Sequence, residues 1–254
     1  MNFSICIPTR ERPNNIKRLV SSILDLAHDP DKVELIFRLD ADDSTVPDVI
    51  QKHGKIVTKK RPKCMSDLWE DCYPLATADR VMMCADDAVF RTQDWDKTIY
   101  DMTPDPGNHF YFIWGNDLIQ CRGLATFPIM SRAWINEVGY FIPRGYLREW
   151  CDTHVHDIAN RLNKLGYDVR FYFAEVIFEH MHPNAGKAKN DNTYRYRYAL
   201  KGEEGQYRRR SEERQKIAAK LARKIKRGVY KLREPYGFKH LRQGHNEASS
   251  WYAT

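Results

Sequence analysis

Apolar positions in the first ninety residues fall alternately into short continuous runs and longer stretches with a helical period. Phe3–Thr9 (FSICIPT) has the apolar density of a buried strand, closed by Pro8. Next, Ile16, Leu19, Val20, Ile23, Leu24 and Leu26 recur at helical spacing, with Asn14 or Asn15 as the expected cap. KVELIFRLDADD predicts a second strand tipped with acids, VPDVIQKHG a short helix, and KIVTKK a third strand. CMSDLWEDCYPLA predicts a helix and DRVMMCADD a fourth strand. This alternation predicts an α/β fold with a mostly parallel central sheet flanked by helices.

Beyond Trp95 the pattern is less regular. HFYFIWG and LATFPIMS predict strands, and SRAWINEVG a short helix. CDTHVHDIANRLNKLG predicts a helix ended by Gly166, with His154 and His156 on its surface. DVRFYFAEVIFEHMHP holds one or two strands, and the stretch after Pro183 starts as a polar loop. TYRYRYALKG alternates Tyr194, Tyr196 and Tyr198 with Arg195 and Arg197, which suits either stacking with phosphate contact or a half-buried strand. A basic helix is expected from Tyr207 to Leu232, with Ile217, Leu221, Ile225 and Val229 on a narrow apolar stripe. The last residues, GHNEASSWYAT, read as irregular, and no internal repeat is visible. The division expected is a main domain over 1–200 and a basic helical extension over 201–254.

With 254 residues, 42% of them hydrophobic, the chain can build one large domain with an appendage, and global disorder is excluded. The formal charge of +7 is uneven: residues 201–254 carry +9 and residues 1–200 carry −2. That asymmetry points to an anionic partner for the tail, nucleic acid or a membrane surface, against the plainer alternative of a docked helix with a solvated basic face. The six cysteines form no CxxC pair, which favours a reducing cytoplasm over a disulfide framework. Neither a signal-peptide pattern nor an apolar run long enough to cross a membrane is present in the sequence.

The candidate chemistry sits at strand ends, where ligands of open α/β sheets bind. Asp86 and Asp87 are either a solvated turn or a pair sharing Mg²⁺ or Mn²⁺ that neutralises a diphosphate. The second acid-tipped strand, with Asp40, Asp42 and Asp43, adds weight to the cation. In PTRERP, Arg10 and Arg12 are candidates for phosphates, and Pro8 and Thr9 for the rim of a nucleotide site. The lack of GxGxxG and GxxxxGK[ST] patterns argues against a dinucleotide site and a P-loop. Asp152 reads as a helix cap. His180 and His182 share a strand face, as one packed and one exposed histidine, and no partner pair stands at zinc spacing.

Taken in order, IPTRERP, LDADDST and CADDAVF resemble the GT-A fold glycosyltransferases of the family-two type over roughly residues 1–185, and CADDAVFRTQDWD is similar to bacteriophage-encoded glycosyltransferases. The resemblance implies a nucleotide-sugar-binding half (1–100) and an acceptor-binding half (101–200). It implies that Asp40, or Asp42, accepts from the uracil N3–H, that Asp86 lies near ribose and metal, and that Asp87 binds the metal. His182, with His180 second, would complete the metal shell, and Asp152, with Glu149 second, would be the general base. Lys187 and Lys189 would close on the diphosphate. The implied activity is metal-dependent, inverting transfer from a UDP-sugar to an acceptor hydroxyl, with a hydroxymethylated base in phage DNA as one acceptor. Ala41-Asp42-Asp43 departs from the usual Gly-Ser turn. Competing readings are transfer to a polysaccharide, lipid-linked or protein acceptor at a membrane surface, a nucleotidyltransferase, and a non-catalytic nucleic-acid-binding protein.

Overall fold

The computed structural model describes residues 2–198 and 203–232. Its core is an eight-stranded mixed sheet. Strand β1 (Phe3–Thr9) is joined through helix α1 (Pro13–Asp25) to β2 (Val33–Asp40). Helix α2 (Asp48–His53) leads to β3 (Gly54–Lys59), and α3 (Ser66–Cys72) to β4 (Arg80–Met83). Then come β5 (Ala88–Phe90), α4 (Trp95–Met102), β6 (Phe112–Asn116), β7 (Ile129–Ser131) and α5 (Arg132–Val138). Helix α6 (Cys151–Lys164) and strand β8 (Arg170–His180) precede three helices, α7 (Asn192–Tyr198), α8 (Glu203–Arg209) and α9 (Ser211–Lys226).

The strand order is β3-β2-β1-β4-β7-β6-β8-β5. The first four run parallel, β7 is antiparallel to both neighbours, β6 and β8 are parallel, and β5 returns along the edge. β2 is buried along its whole length, as a strand covered on both faces must be. In β1 the side chains alternate between two cores: Ile5 and Ile7 meet Leu19, Ile23 and Trp95, whereas Cys6 joins Trp69, Trp134 and Ile158.

Several elements differ from the sequence reading. Helix α1 opens at Pro13 with Arg12 in the cap position, so Asn14 and Asn15 lie inside its first turn. Pro at the first helical position has no N–H to lose. Residues 192–198, read as loop or strand, are helical. The basic helix is broken at Arg210 into α8 and α9. His154 and His156 are buried, not surface residues, because α6 is enclosed between the sheet and α9. His156 accepts from the Ala125 N–H at 3.0 Å against Phe112 and Trp114. The final GHNEASSWYAT lies outside the described residues.

Helix α9 docks through fully buried Ala218 and Leu221, with Ile217 and Ile225 packed beside them, while Val229 stays exposed. Much of its charge is paired internally. Arg214, buried, donates to Asp157 at 2.6 Å, and Lys220 and Lys224 reach Glu137 at 3.1 and 3.2 Å. Among the described residues, no helix is long and apolar enough to cross a membrane.

Candidate active site

The parallel register of β1, β2 and β4 brings Thr9, Asp40 and the turn after Met83 to one edge of the sheet. Two networks of charge form there.

The outer one centres on Asp40. Its Oδ1 accepts from Arg38 at 3.1 Å and its Oδ2 from Arg10 at 3.1 Å, with Arg61 at 3.7 Å. Arg10 also grips Asp42 with two nitrogens, at 2.6 and 3.0 Å. Arg38 is buried in β2 and reaches Asp71 as well. A lone Arg inside the apolar run LIFRLD must be paired, which is the signal the sequence offered for it.

The inner network joins β1, the β4–β5 turn and α7. Thr9 donates to Asp86 Oδ2 at 2.8 Å, and Arg12 Nη1 donates to Asp86 Oδ1 at 2.7 Å. The rest of the Arg12 fork holds Asp191, Nε to Oδ2 at 2.7 Å and Nη2 to Oδ1 at 2.9 Å. The guanidinium lies over the Tyr194 ring, 4.4 Å from its centroid, and the Tyr194 hydroxyl donates to Asp87 Oδ2. His180 Nε2 is 3.5 Å from that same oxygen. The His182 ring lies 5.0 Å from the His180 ring and 5.1 Å from Tyr194, and its Nδ1 accepts from the Asn184 N–H.

The two adjacent acids are driven apart in acidity. Burial, aided by Asp87, pushes the Asp86 carboxyl up against the pull of Arg12. Asp87 is equally buried, but His180, the Tyr194 hydroxyl and Arg12 together hold its pKa below the usual carboxylate range. The pair's first negative charge therefore resides on Asp87.

Asp87 Oδ1 is buried and has no hydrogen-bond partner among the described residues. A buried, ionised oxygen left open is costly unless a cation takes it. One carboxylate is enough to anchor Mg²⁺ or Mn²⁺ when substrate phosphates supply other ligands. Both oxygens of Asp86 are occupied by Thr9 and Arg12, so the structure does not assemble Asp86, Asp87 and His182 into a ready ligand cluster. Among the described residues, no group of three or more His, Cys, Asp or Glu side chains is arranged to hold a metal ion.

Beside Asp87 opens a cavity of about 490 Å³. Asp87, His180, His182, Glu149, Asp152, Lys187 and Arg148 are among its lining residues. Met65, Trp69, Met83 and Phe127 supply an apolar wall. Lys187 is held by Glu179 at 2.9 Å. Asp152 is not the cap of α6. Trp150 holds that position, and Asp152 sits in the first turn, accepting from the Thr153 N–H at 2.7 Å.

Of the residues singled out in the sequence, Asp87, Asp152, His182 and Lys187 share this cavity, as do the second choices Glu149 and His180. Thr9, Arg10, Arg12, Asp40, Asp42 and Asp86 lie in the charge networks instead, and Pro8 is in β1. Lys189 is exposed in the connecting segment. Arg38 and Asp191 were not foreseen, and Tyr194, read as a stacking or half-buried residue, meets Arg12 and Asp87 from a helix.

Neither a family model nor a curated protein sequence matches this chain. Solved structures do. The mannosyltransferase PcManGT from Pyrobaculum calidifontis, in complex with GDP-Man and Mn²⁺, is similar over 89% of this chain and 75% of its own, at a TM-score of 0.55 and 12% identity. Glucosyl-3-phosphoglycerate synthase from Mycobacterium tuberculosis, in complex with Mg²⁺ and UDP, is similar over 91% of this chain and 80% of its own, at 0.52 and 12%. The chain has the GT-A fold. S. aureus TarS shares it at a TM-score of 0.54 and 10% identity, and the chain spans 36% of one TarS chain and 59% of the 1–349 form bound to UDP. At these identities the likeness is one of fold, and the GT-A sheet is what the structures have in common.

Proposed function

We propose that this protein is a metal-dependent glycosyltransferase that moves a sugar from a nucleotide-sugar, with UDP-sugars favoured, to an acceptor hydroxyl. The observation that carries the reading is the cavity at the carboxyl edge of a GT-A sheet, lined by both Asp87, with its open oxygen, and Asp152. The nucleotide and metal complexes of the similar structures support it.

In this reading Asp87 anchors Mn²⁺ or Mg²⁺, with His182 or His180 beside it. The bound cation would supply charge neutralisation to the leaving diphosphate. Arg12 and Lys187 take up the remaining negative charge. Pro8, Thr9, Arg10, Asp40 and Asp42 form the rim for the nucleoside, and Asp86 orients that rim through Thr9 and Arg12. Asp152 accepts the proton of the acceptor hydroxyl as its oxygen bonds to the anomeric carbon. The bond from that carbon to the phosphate oxygen breaks, and its electron pair leaves with the nucleoside diphosphate. A single displacement of this kind inverts the anomeric carbon, as the family-two type does.

For the acceptor we favour a hydroxymethylated base in DNA, of the kind carried by bacteriophages. Arg223, Lys226 and Arg227 support this choice, since they are exposed at helical spacing along the end of α9. A base in a duplex would have to be flipped out to reach the cavity.

Titration calorimetry with UDP and Mn²⁺ tests the donor site. Binding that needs Mn²⁺ and is lost in Asp87→Ala is expected, and no binding of UDP or GDP to the wild type would refute the reading. Mass spectrometry of products from a panel of nucleotide-sugars and acceptors, hydroxymethylated DNA among them, identifies the reaction.

A further inference from the structure

We propose that residues 183–195 are a strap that keeps a diphosphate subsite shut, with the Asp191 carboxylate standing on Arg12 where a ligand's phosphate would bind. The inference deepens the reading above and rests on it only for the identity of the ligand as a nucleoside diphosphate.

Every nitrogen of the Arg12 guanidinium is engaged. Nη1 serves Asp86, while Nε and Nη2 grip the two oxygens of Asp191 side by side. Asp86 is buried behind Arg12, whereas the Asp191 side chain is 40% exposed. The fork of an arginine fits a carboxylate and a phosphate in the same two-pronged way. A phosphate can therefore reach Arg12 from solvent only by taking the place of Asp191.

Three residues further on, Tyr194 closes the other half of the subsite. Its ring lies beneath Arg12 and its hydroxyl is on Asp87. The remaining oxygen of Asp87 is buried and, among the described residues, unpartnered, beside the cavity that Asp87 lines. One short helix thus covers both the cation that would meet the phosphates and the carboxylate that would meet their counter-ion.

The strap is built to release. From 181 to 195, Tyr194 is the only buried residue. Two of its fastenings are polar: Asp191 on Arg12, and Lys187 on Glu179 at 2.9 Å. A segment with so little buried apolar surface opens at small cost in free energy. Opening would also free Lys187, which lines the cavity, to turn from Glu179 to an incoming anion.

Asp191→Asn is the discriminating variant. It keeps the size of the side chain and its bond from the Tyr194 N–H, which caps α7, but removes the charge that mimics phosphate. If the strap is closed in about nine molecules of ten, its release tightens binding by roughly tenfold. Calorimetry with two probes, UDP with Mn²⁺ and inorganic pyrophosphate with Mn²⁺, should show that gain in Asp191→Asn. Tryptic cleavage after Lys189 and Arg195 of the wild type should quicken when either probe is added.

Equal or weaker binding of both probes by an Asp191→Asn protein with wild-type circular dichroism would overturn the strap, as would cleavage rates indifferent to both. If pyrophosphate alone binds and shows the gain, the strap stands and the nucleotide reading falls. If UDP binds the wild type tightly and the variant no better, the nucleotide reading stands and the strap falls.

Discussion

Trp150 packs on Tyr207 with ring centroids 4.9 Å apart, and it does so from the left-handed region, at φ 71°. For a bulky residue that backbone is strained and must be held by its surroundings. Tyr207 has a second neighbour: the Arg214 guanidinium lies 3.8 Å from its ring centroid. Tyr207 is thus gripped between the entry of α6 and the anchor of α9, and the Trp150 it holds stands two residues before Asp152. The C-terminal helices buttress the helix that carries the proposed base.

Removing that ring should therefore cost both stability and rate. Tyr207→Ala is expected to lower stability by about 2–4 kcal/mol, the range for losing a packed aromatic side chain. At a temperature where the variant is folded, kcat should fall while the donor KM stays within about twofold. Tyr207→Phe keeps the ring and should retain most of both. Urea denaturation and steady-state kinetics measure the two effects, and a Tyr207→Ala enzyme with wild-type kcat would contradict the buttress.

Acid should weaken the fold through two buried histidines. His154 is fully buried, and His156 nearly so. Burial, with Arg210 and Arg214 nearby, pushes the pKa of His154 down to about 2, and burial with Arg170 nearby pushes His156 to about 4. His154 instead joins Tyr140 and Tyr146, each at 2.8 Å, and Tyr140 continues to Glu213 on α9. Unfolded histidine titrates near 6.5. Below that pH the unfolded chain binds protons that the folded chain refuses, so stability falls as pH falls. At pH 5 each histidine should cost roughly 2 kcal/mol, and above about pH 8 neither contributes a slope. The raised Asp86 carboxyl acts in the opposite sense, so the test compares the wild type with a His154→Gln, His156→Gln variant: a fall in urea midpoint from pH 7 to pH 5 no larger in the wild type than in the variant would count against neutral burial of both rings.

The first four strands and their helices were legible because each is a run of one period, closed by Pro, Gly or acids. The resemblance carried by the order of the motifs named Asp87, Asp152 and His182, and these three line one cavity. The partners of Arg12 were not legible. Asp191 is 179 residues away, and nothing local marks an aspartate in KNDNTY as the acid that will hold it. The alternation of Tyr and Arg from 194 to 198 has the period of a strand, but the segment forms a helix that packs through Tyr194. His154 and His156 looked solvated because a single helix cannot reveal that a second helix, α9, will cover it.

The two proposed acids should separate cleanly in a kinetic test. Asp87→Ala removes the open oxygen, so nucleotide binding should lose its dependence on Mn²⁺ and weaken by about a hundredfold or more, a loss of roughly 2.7 kcal/mol. Asp152→Asn keeps the shape of the first turn of α6 but cannot take a proton. It should bind the donor within about twofold of wild type and lose a factor of about 10²–10⁴ in kcat, the usual worth of a general base. Calorimetry and product assays read these out. Substantial turnover by Asp152→Asn would move the base elsewhere, with Glu149, which lines the same cavity, the next residue to replace.

The basic helices hold two populations of charge, and they should respond oppositely to substitution. Arg214, Lys220 and Lys224 are committed to Asp157 and Glu137. Arg214→Ala takes away the buried partner of Asp157, leaving Arg161 as its cation, and should destabilise the fold by about 3 kcal/mol. Arg223, Lys226 and Arg227 are exposed along the end of α9. Changing all three to Gln should alter stability by no more than about 0.5 kcal/mol. If DNA is the acceptor, that triple variant should bind duplex DNA more weakly at low salt. The slope of log K against log salt should then shrink by roughly 0.9 for each phosphate that the variant no longer neutralises. An unchanged slope, or a wild type that binds DNA no differently at low salt and at a severalfold higher concentration, would leave these cations as a solvated face and direct the search for the acceptor to smaller molecules.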